Sequence, residues 1–217
     1  MRVAGFDPSM TNFGWALYNT ELAAPGRCVV HGRFQTSAKT LFIDRYTELR
    51  SNVRDLIRQL EVKRLGVEYP VFKELYSEGM YGLFLFTCEA LRLEKVDVVF
   101  FSPGQVKAHA RAFLGRPDGW KMLKPDMVEA TKVAEGKTLN HNEADAYWIA
   151  RVASRFWQFY DGEIKGDDLT PLEAKQFLDV KKITKGKRVG ETDVKGIFFR
   201  EDERFFRWTE VDDHGQG

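Results

Sequence analysis

The chain has 217 residues, with 33 Lys and Arg against 32 Asp and Glu, so its formal net charge is +1. This length suits one domain with an appendage, and the near-neutral balance lacks the basic excess common in nucleic-acid-binding proteins. The first residues run directly into an apolar strand pattern without the features of a signal peptide, and no apolar stretch is long enough to span a bilayer. We therefore expect a soluble, cytoplasmic protein with no membrane partner.

Three strand patterns open the chain. Each alternates or is apolar throughout, is rich in β-forming residues and is separated from the next by turn residues. Short connections between successive strands predict an antiparallel meander. The predicted strands are Arg2–Phe6, Asn12–Tyr18 and Arg27–Gln35.

From residue 41 onward the pattern changes to helices that alternate with single strands. Apolar residues then recur at three- and four-residue steps, which is typical of amphipathic helices. Ser102 followed by Pro103 predicts an N-cap and a first helical residue. The predicted helices are Leu41–Leu60, Glu78–Leu93, Pro103 to about Leu114, Asp126–Ala134 and Asn142–Tyr160, with strands at Arg64–Tyr69 and Asp97–Phe101 and loops at Gly115–Pro125 and Gly136–His141.

These elements predict an α/β fold with a mixed five-stranded sheet and helices on both faces. After Asp161-Gly162 the composition becomes charged and broken, with a helix start at Thr170 and a hairpin within residues 196–208. We therefore predict a main domain over 1–160 and a small α+β extension over 161–217. The extension is interpreted either as a DNA-binding arm or as a packing arm.

Three acidic residues stand where strand ends and a helix start can meet. Asp7 ends the first strand, Glu68 lies near the end of the fourth, and Asp145 lies in the first turn of the last long helix. Each has an ordinary explanation by itself. Asp7 could be a turn residue, Glu68 a strand-end acid with an ion-pair partner, and Asp145 a charge that complements the helix dipole. Together they predict a carboxylate site for two divalent ions about 4 Å apart, which suits phosphodiester chemistry. Oxygen ligands of this kind favour Mg²⁺ or Mn²⁺.

Four segments in order resemble the motifs of RuvC-like Holliday junction resolvases of phage and bacterial type. The opening GFDPS and NFGWA runs resemble that family's first acidic strand and the strand after it. VEYP resembles its second acidic strand, SPGQVK resembles a proline–valine–lysine segment, and NEADAYWIA resembles its closing helix. Each motif is weak alone, but four in the same order form a specific pattern over roughly residues 1–157.

The resemblance implies a ribonuclease H-like nuclease domain over 1–160. It also implies a homodimer that cuts two strands of a four-way DNA junction symmetrically, uses two Mg²⁺ or Mn²⁺ ions and leaves 5′ phosphates. Asp7, Glu68 and Asp145 match the family's acidic positions, with Asp7 expected to bridge the two ions.

The fourth acidic position departs from the family pattern, which has Asp or His three residues before the last Asp. Here that residue is Asn142, with His141 beside it. Positions three and four residues before Asp145 both lie near its face of a helix. Asn142 through its amide oxygen and His141 through a ring nitrogen are therefore joint candidates.

Basic and aromatic residues near these motifs are interpreted as DNA contacts. A basic run after the last core strand predicts a phosphate track, although a solvated face gives the same pattern. Aromatic residues shortly after Glu68 are candidates for stacking on unpaired bases, or for burial in a dimer interface. The DNA-binding candidates are Phe72, Tyr76, Lys107, Arg111, Lys121 and Lys124, and Lys107 is also a catalytic candidate because it matches the family lysine.

The sequence leaves other functions open. The same fold can serve flap or RNA–DNA hybrid nucleases, because a fold does not decide its substrate. Asn142 in the acidic set is also compatible with a junction-binding module that does not cut. An actin-like ATPase is disfavoured because we find no second phosphate loop and no Gly-Gly adenosine motif.

Overall fold

The computed structural model describes residues 1–69 and 78–177 and, beyond them, the backbone of four short strands within 180–207. The strands of the main sheet are β1 (Arg2–Asp7), β2 (Asn12–Asn19), β3 (Cys28–Gln35), β4 (Arg64–Glu68) and β5 (Asp97–Phe101). The described helices are α1 (Phe42–Leu60), α2 (Glu78–Leu93), α3 (Pro103–Phe113), α4 (Lys124–Glu135), α5 (His141–Tyr160) and α6 (Pro171–Phe177), with a 3-10 turn at Gly166–Asp168.

The main sheet has the strand order β3-β2-β1-β4-β5. β1 pairs with β2, and β2 with β3, in antiparallel fashion. β1, β4 and β5 run parallel. The mixed five-stranded sheet predicted from the sequence is therefore confirmed, and its parallel half brings the carboxyl ends of β1, β4 and β5 to one edge.

Helices cover both faces of the sheet and divide the core in two. On one face α1 and α2 pack on β1, β4 and β5 through a cluster that includes Phe6, Leu65 and Val98. On the other face α3, α4 and α5 enclose a second cluster, in which Trp148 and Trp157 of α5 are fully buried. This α/β/α layering is the predicted arrangement.

The starts of α4 and α5 differ from the prediction, as does that of α1, which begins at Phe42 instead of Leu41. α4 begins at Lys124 instead of Asp126, because Pro125 is accepted in a first turn and the Asp126 carboxylate receives the Leu123 N–H at 2.7 Å. α5 begins at His141 because Asn140 is its N-cap, accepting the N–H groups of Asn142 and Glu143. Asp145 consequently lies at the start of the second turn, and Glu143 is the acidic residue of the first turn.

The chain beyond residue 160 returns to the main core. α6 places Phe177 against Phe101 and Phe156, and Phe177 is fully buried. Further on, the backbone of Val180–Lys182 pairs with Thr192–Val194. Phe198–Glu201 pairs with Arg204–Arg207 as the predicted hairpin. Within the described part of the chain, no helix combines the length and apolar character needed to cross a bilayer.

Candidate active site

The pairing of β1 with β4 brings Asp7 beside Glu68. Phe6 is paired with Val67, so Asp7 and Glu68, the next and last residues of the two parallel strands, end β1 and β4 side by side. Side chains alternate between the faces of a strand. Asp7 lies two residues after Gly5, Glu68 lies two residues after Gly66, and the two glycines are paired with each other. All four positions therefore lie on one face of the sheet.

The two glycines let α5 approach that face closely. A Cβ atom on Gly5 would lie 2.1 Å from the backbone oxygen of Ala146, and one on Gly66 would lie 2.6 Å from Cβ of Ala153. No side chain fits in such a gap. The close approach brings the first turns of α5, and with them Asp145, to the strand ends that carry Asp7 and Glu68.

Burial makes the three carboxyl groups hard to ionise, and for Asp7 and Glu68 the charge of neighbouring carboxyl groups adds to it. Burial, followed by the charges of Glu68 and Asp145, raises the pKa of Asp7 well above its ordinary value. Burial and the charge of Asp145 raise the pKa of Glu68 to about 7. Burial raises the pKa of Asp145 to about 6. Carboxylates with raised pKa values in one place are typical of functional sites.

Two lysines partly compensate this negative charge. Lys107 of α3 lowers the pKa of all three carboxyl groups, and Lys124, the first residue of α4, lowers the pKa of Asp7 and Asp145. The turns of α3 and α4 that carry these lysines therefore lie near the acids. The arrangement is an acidic centre bordered by two cationic side chains.

The donor chemistry of the centre fits a divalent cation. The Oδ1 atom of Asp145 is buried and has no hydrogen-bond partner in the described part of the chain, which is costly for a carboxylate unless a cation or donor approaches it. Oxygen donors of this kind suit Mg²⁺ and Mn²⁺. Across the described ranges, no three His, Cys, Asp or Glu side chains are gathered closely enough to hold an ion as they stand, in keeping with repulsion among like charges.

Asn142 and His141 occupy different surroundings. Asn142 is buried, and its backbone oxygen lies against Gly14, the residue of β2 that pairs with Asp7. Its side-chain amide makes no hydrogen bond to any residue that the structure describes. The pKa of His141 is lowered by partial burial and by Lys124 and Arg33. His141 therefore faces cations, whereas Asn142 lies next to the acidic centre.

The predicted basic track is divided in the structure. Of its members, Lys107 and Lys124 adjoin the carboxylates, whereas Arg111 is paired with Asp118 at 2.8 Å in a separate groove. Lys121 is exposed and makes no ion pair within the described residues. These side chains are thus spread over the acidic centre, the groove that Arg111 lines and the exposed loop after α3, and their contact with phosphates stays a prediction.

Two further aromatic candidates, Phe72 and Tyr76, lie outside the described residues. The sequence interpretation also missed Gly5 and Gly66. Their signal was a repeated Gly–apolar–acid run, Gly5-Phe6-Asp7 and Gly66-Val67-Glu68, on two successive parallel strands. A glycine two residues before a strand-end acid indicates close packing on the face that the acid shares.

Solved structures with this fold exist, although no protein-family model and no curated protein sequence matches the chain. The structure of Thermus thermophilus RuvC is 21% identical, with a TM-score of 0.55 over 69% of this chain and 91% of that one. T. thermophilus RuvC in complex with Holliday junction substrate is 22% identical, with a TM-score of 0.55 over 69% of this chain and 90% of that one. These likenesses confirm the RuvC-like fold that the four sequence motifs predicted.

Proposed function

We propose that the protein is a Mg²⁺- or Mn²⁺-dependent endonuclease that resolves four-way DNA junctions. The observation that carries this proposal is the meeting of Asp7, Glu68 and Asp145 at the carboxyl edge of a RuvC-like sheet, with raised pKa values and an unpartnered carboxylate oxygen. The junction as substrate is supported by the fold and by the complex formed by T. thermophilus RuvC.

The residues of the acidic centre would have different roles according to their positions. Asp7, Glu68 and Asp145 would hold two cations, with Asp7 central as the family resemblance implies, and Asn142 would complete the set through its amide oxygen. Divalent cations, when bound, supply Lewis-acid stabilisation of the charge that develops on the phosphate oxygens. Lys107 and Lys124 would bind the scissile strand through its phosphates and orient it over the carboxylates.

His141 has a smaller part in this proposal. Partial burial, followed by the charges of Lys124 and Arg33, lowers the pKa of the ring, and we propose that it contacts DNA or moves a proton at the rim. Phe72, Tyr76, Arg111 and Lys121 remain predicted DNA contacts.

A second candidate function is a junction-binding module that does not cut. Asn142 in the place of an acid favours it, as does the absence, among the described residues, of three acidic, His or Cys side chains gathered closely enough to hold an ion as they stand. Flap and RNA–DNA hybrid cleavage by the same centre remains an alternative for the substrate.

We further propose a homodimer, as the resemblance implies. It is supported by α2, which leaves the large apolar side chains Tyr81 and Leu85 about half exposed. Sedimentation equilibrium measures the stoichiometry, and a monomer at every concentration would contradict the dimer.

The test is cleavage of a labelled synthetic four-way junction with Mg²⁺ or Mn²⁺, beside linear duplex, flap and hybrid substrates. We expect paired symmetric nicks from the wild type and a loss of at least about 100-fold in rate for Asp7→Asn, as expected for a residue that acts directly in the chemistry. Asp55→Asn, an exposed position on α1, is the matched control and should cut normally.

The other outcomes separate the alternatives. Tight junction binding without cutting in either metal would overturn the nuclease and support the binding module. Cleavage of the flap or the hybrid at the same rate as the junction would support the nuclease activity but overturn the junction as its substrate.

A further inference from the structure

A second cationic surface lies away from the carboxylates, in a groove between α3, α5 and α6. The groove has a volume of about 1030 Å³. Five cationic side chains line it against two acidic ones, Asp118 and Glu173. The cationic residues are Arg27, Arg111, Arg151, Arg155 and Lys175. We call this surface the basic groove.

The excess of positive charge in the basic groove is not neutralised by the residues that the structure describes. Arg111 and Arg155 are each paired with one of the two acids, Asp118 and Glu173. Arg151 and Lys175 have no carboxylate partner among the residues that the structure describes, and Arg27 donates only to the Leu22 carbonyl and the Tyr18 hydroxyl. Unpaired cations gathered in one concavity attract a polyanion.

Arg151 is held in place before any ligand arrives. Its guanidinium lies 4.5 Å from the ring centre of Phe113 and 4.8 Å from that of Trp148. It also donates to the hydroxyl of Tyr147 at 3.3 Å. A guanidinium fixed between rings keeps donors for a phosphate and loses little conformational freedom on binding.

Trp148 provides an independent sign of a missing acceptor. The residue lines the groove and is 1% exposed, and its Nε1–H has no hydrogen-bond partner among the residues that the structure describes. A buried indole N–H normally finds an acceptor. The cationic donors of the groove call for an anion rich in acceptor oxygens, and Trp148, whose buried indole N–H lacks an acceptor among the described residues, is part of the groove wall.

The basic groove follows the helices that lead away from the acidic centre. Arg111 lies one helical turn, about 6 Å, beyond Lys107 on the same face of α3, and Arg151 and Arg155 lie about 9 Å and 15 Å beyond Asp145 along α5. By helical spacing, both arginines of α5 lie on the side opposite Ala146 and Ala153, which pack on the sheet. A DNA strand held at the carboxylates can thus continue along α3 and α5.

We infer that the basic groove binds the phosphodiester backbone of DNA outside the cleavage site. The inference rests on the proposed function only in taking DNA as the ligand. It assigns Arg151 and Lys175 as phosphate contacts, with Arg111 and Arg155 adding charge to the walls. Phosphate contacts of this kind fix the position of the DNA without reading its sequence.

The test measures binding without cleavage, using fluorescence anisotropy of a labelled four-way junction in EDTA at several salt concentrations. The variants are Arg151→Gln and Lys175→Gln, and Lys175 is exposed, so its replacement leaves folding intact. Lys132→Gln, at an exposed position in the last turn of α4, is the matched control. The full-length chain is used throughout, and urea unfolding checks Arg151→Gln.

We expect each groove variant to weaken junction binding about threefold to tenfold near 0.1 M salt and to reduce the salt slope by about one, while the control is unchanged. Unchanged affinity and slope in both groove variants would overturn the inference. A second outcome would also overturn it: tripolyphosphate stabilises the wild type but not Arg151→Gln, while DNA binding is the same in both. The groove would then be a site for a small anion. If the groove variants bind the junction more weakly but the wild type never cuts it, the groove is supported and only the proposed nuclease activity is overturned.

Discussion

At the scale of single residues, the carboxyl groups of the acidic centre oppose folding when no cation is bound. The pKa of Glu68 is raised from 4.5 to about 7, and that of Asp145 from 3.8 to about 6. A folded-state pKa above the unfolded value means that the folded chain binds protons more tightly, so stability falls as pH rises between the two values. The carboxyl groups therefore lower the stability of the metal-free fold, and we attribute their presence to the proposed cation binding.

This gives a prediction for the pH dependence of the free energy of unfolding in EDTA. We expect it to fall as pH rises from about 4 to 7, by up to about 3 kcal/mol for each of Glu68 and Asp145, at about 1.4 kcal/mol per pKa unit. Urea denaturation at a series of pH values measures it.

Asp145→Asn is the control for that measurement. It should flatten the fall and make the chain more stable than the wild type at pH 8, because an amide has no charge to bury. Adding Mg²⁺ at pH 8 should stabilise the wild type more than the variant. A wild type whose stability rises over the same pH range would contradict the interpretation.

At the scale of secondary structure, the distance between α5 and the parallel strands decides whether the acids meet. Gly5 and Gly66 set that distance, because the backbone and side chains of α5 occupy the space that a Cβ would take. Strand register then adds the second requirement, since Asp7 and Glu68 are adjacent only when Phe6 pairs with Val67.

We therefore predict that Gly5→Ala destabilises the fold by at least about 2 kcal/mol and removes most junction cleavage. The added methyl would lie 2.1 Å from the Ala146 oxygen, and α5 must shift to relieve the contact. Urea denaturation and the cleavage assay measure the two effects.

The matched control is Gly104→Ala in the first turn of α3, where the nearest atom to a new Cβ is 4.0 Å away. It should be neutral or slightly stabilising, because alanine favours a helix over glycine. Equal effects of the two substitutions would show that backbone freedom, and not close packing, is what matters at Gly5.

At the scale of the whole molecule, the residues after the main domain contribute to its core. Phe177 packs against Phe101 of β5, Phe156 of α5 and the ring of His109. The ion pair between Arg155 and Glu173 at 2.8 Å joins α5 to α6. The segment up to Phe177 therefore packs on the main domain, while a DNA-binding role for the extension stays a prediction.

We expect Phe177→Ala to lower the free energy of unfolding by about 3 to 5 kcal/mol, the range for removing a fully buried aromatic side chain. Phe42→Ala is the matched control, since Phe42 is 59% exposed on α1, and it should cost less than about 1 kcal/mol. Chemical denaturation compares the two, and a loss below about 1 kcal/mol for Phe177→Ala would contradict a structural role for α6.

The sequence by itself determined the strands, the helices and the three acids, because strand and helix periods, N-caps and turns are local properties. The ends of α2 and β5 agree with the prediction to the residue. Tertiary structure decided which side chains surround the acids. Lys107 and Lys124 adjoin them while Arg111 enters the basic groove, and Asn142 lies by the centre while His141 faces cations. Those surroundings come from helices packing at distances that glycines on other strands set, and no local pattern contains that information.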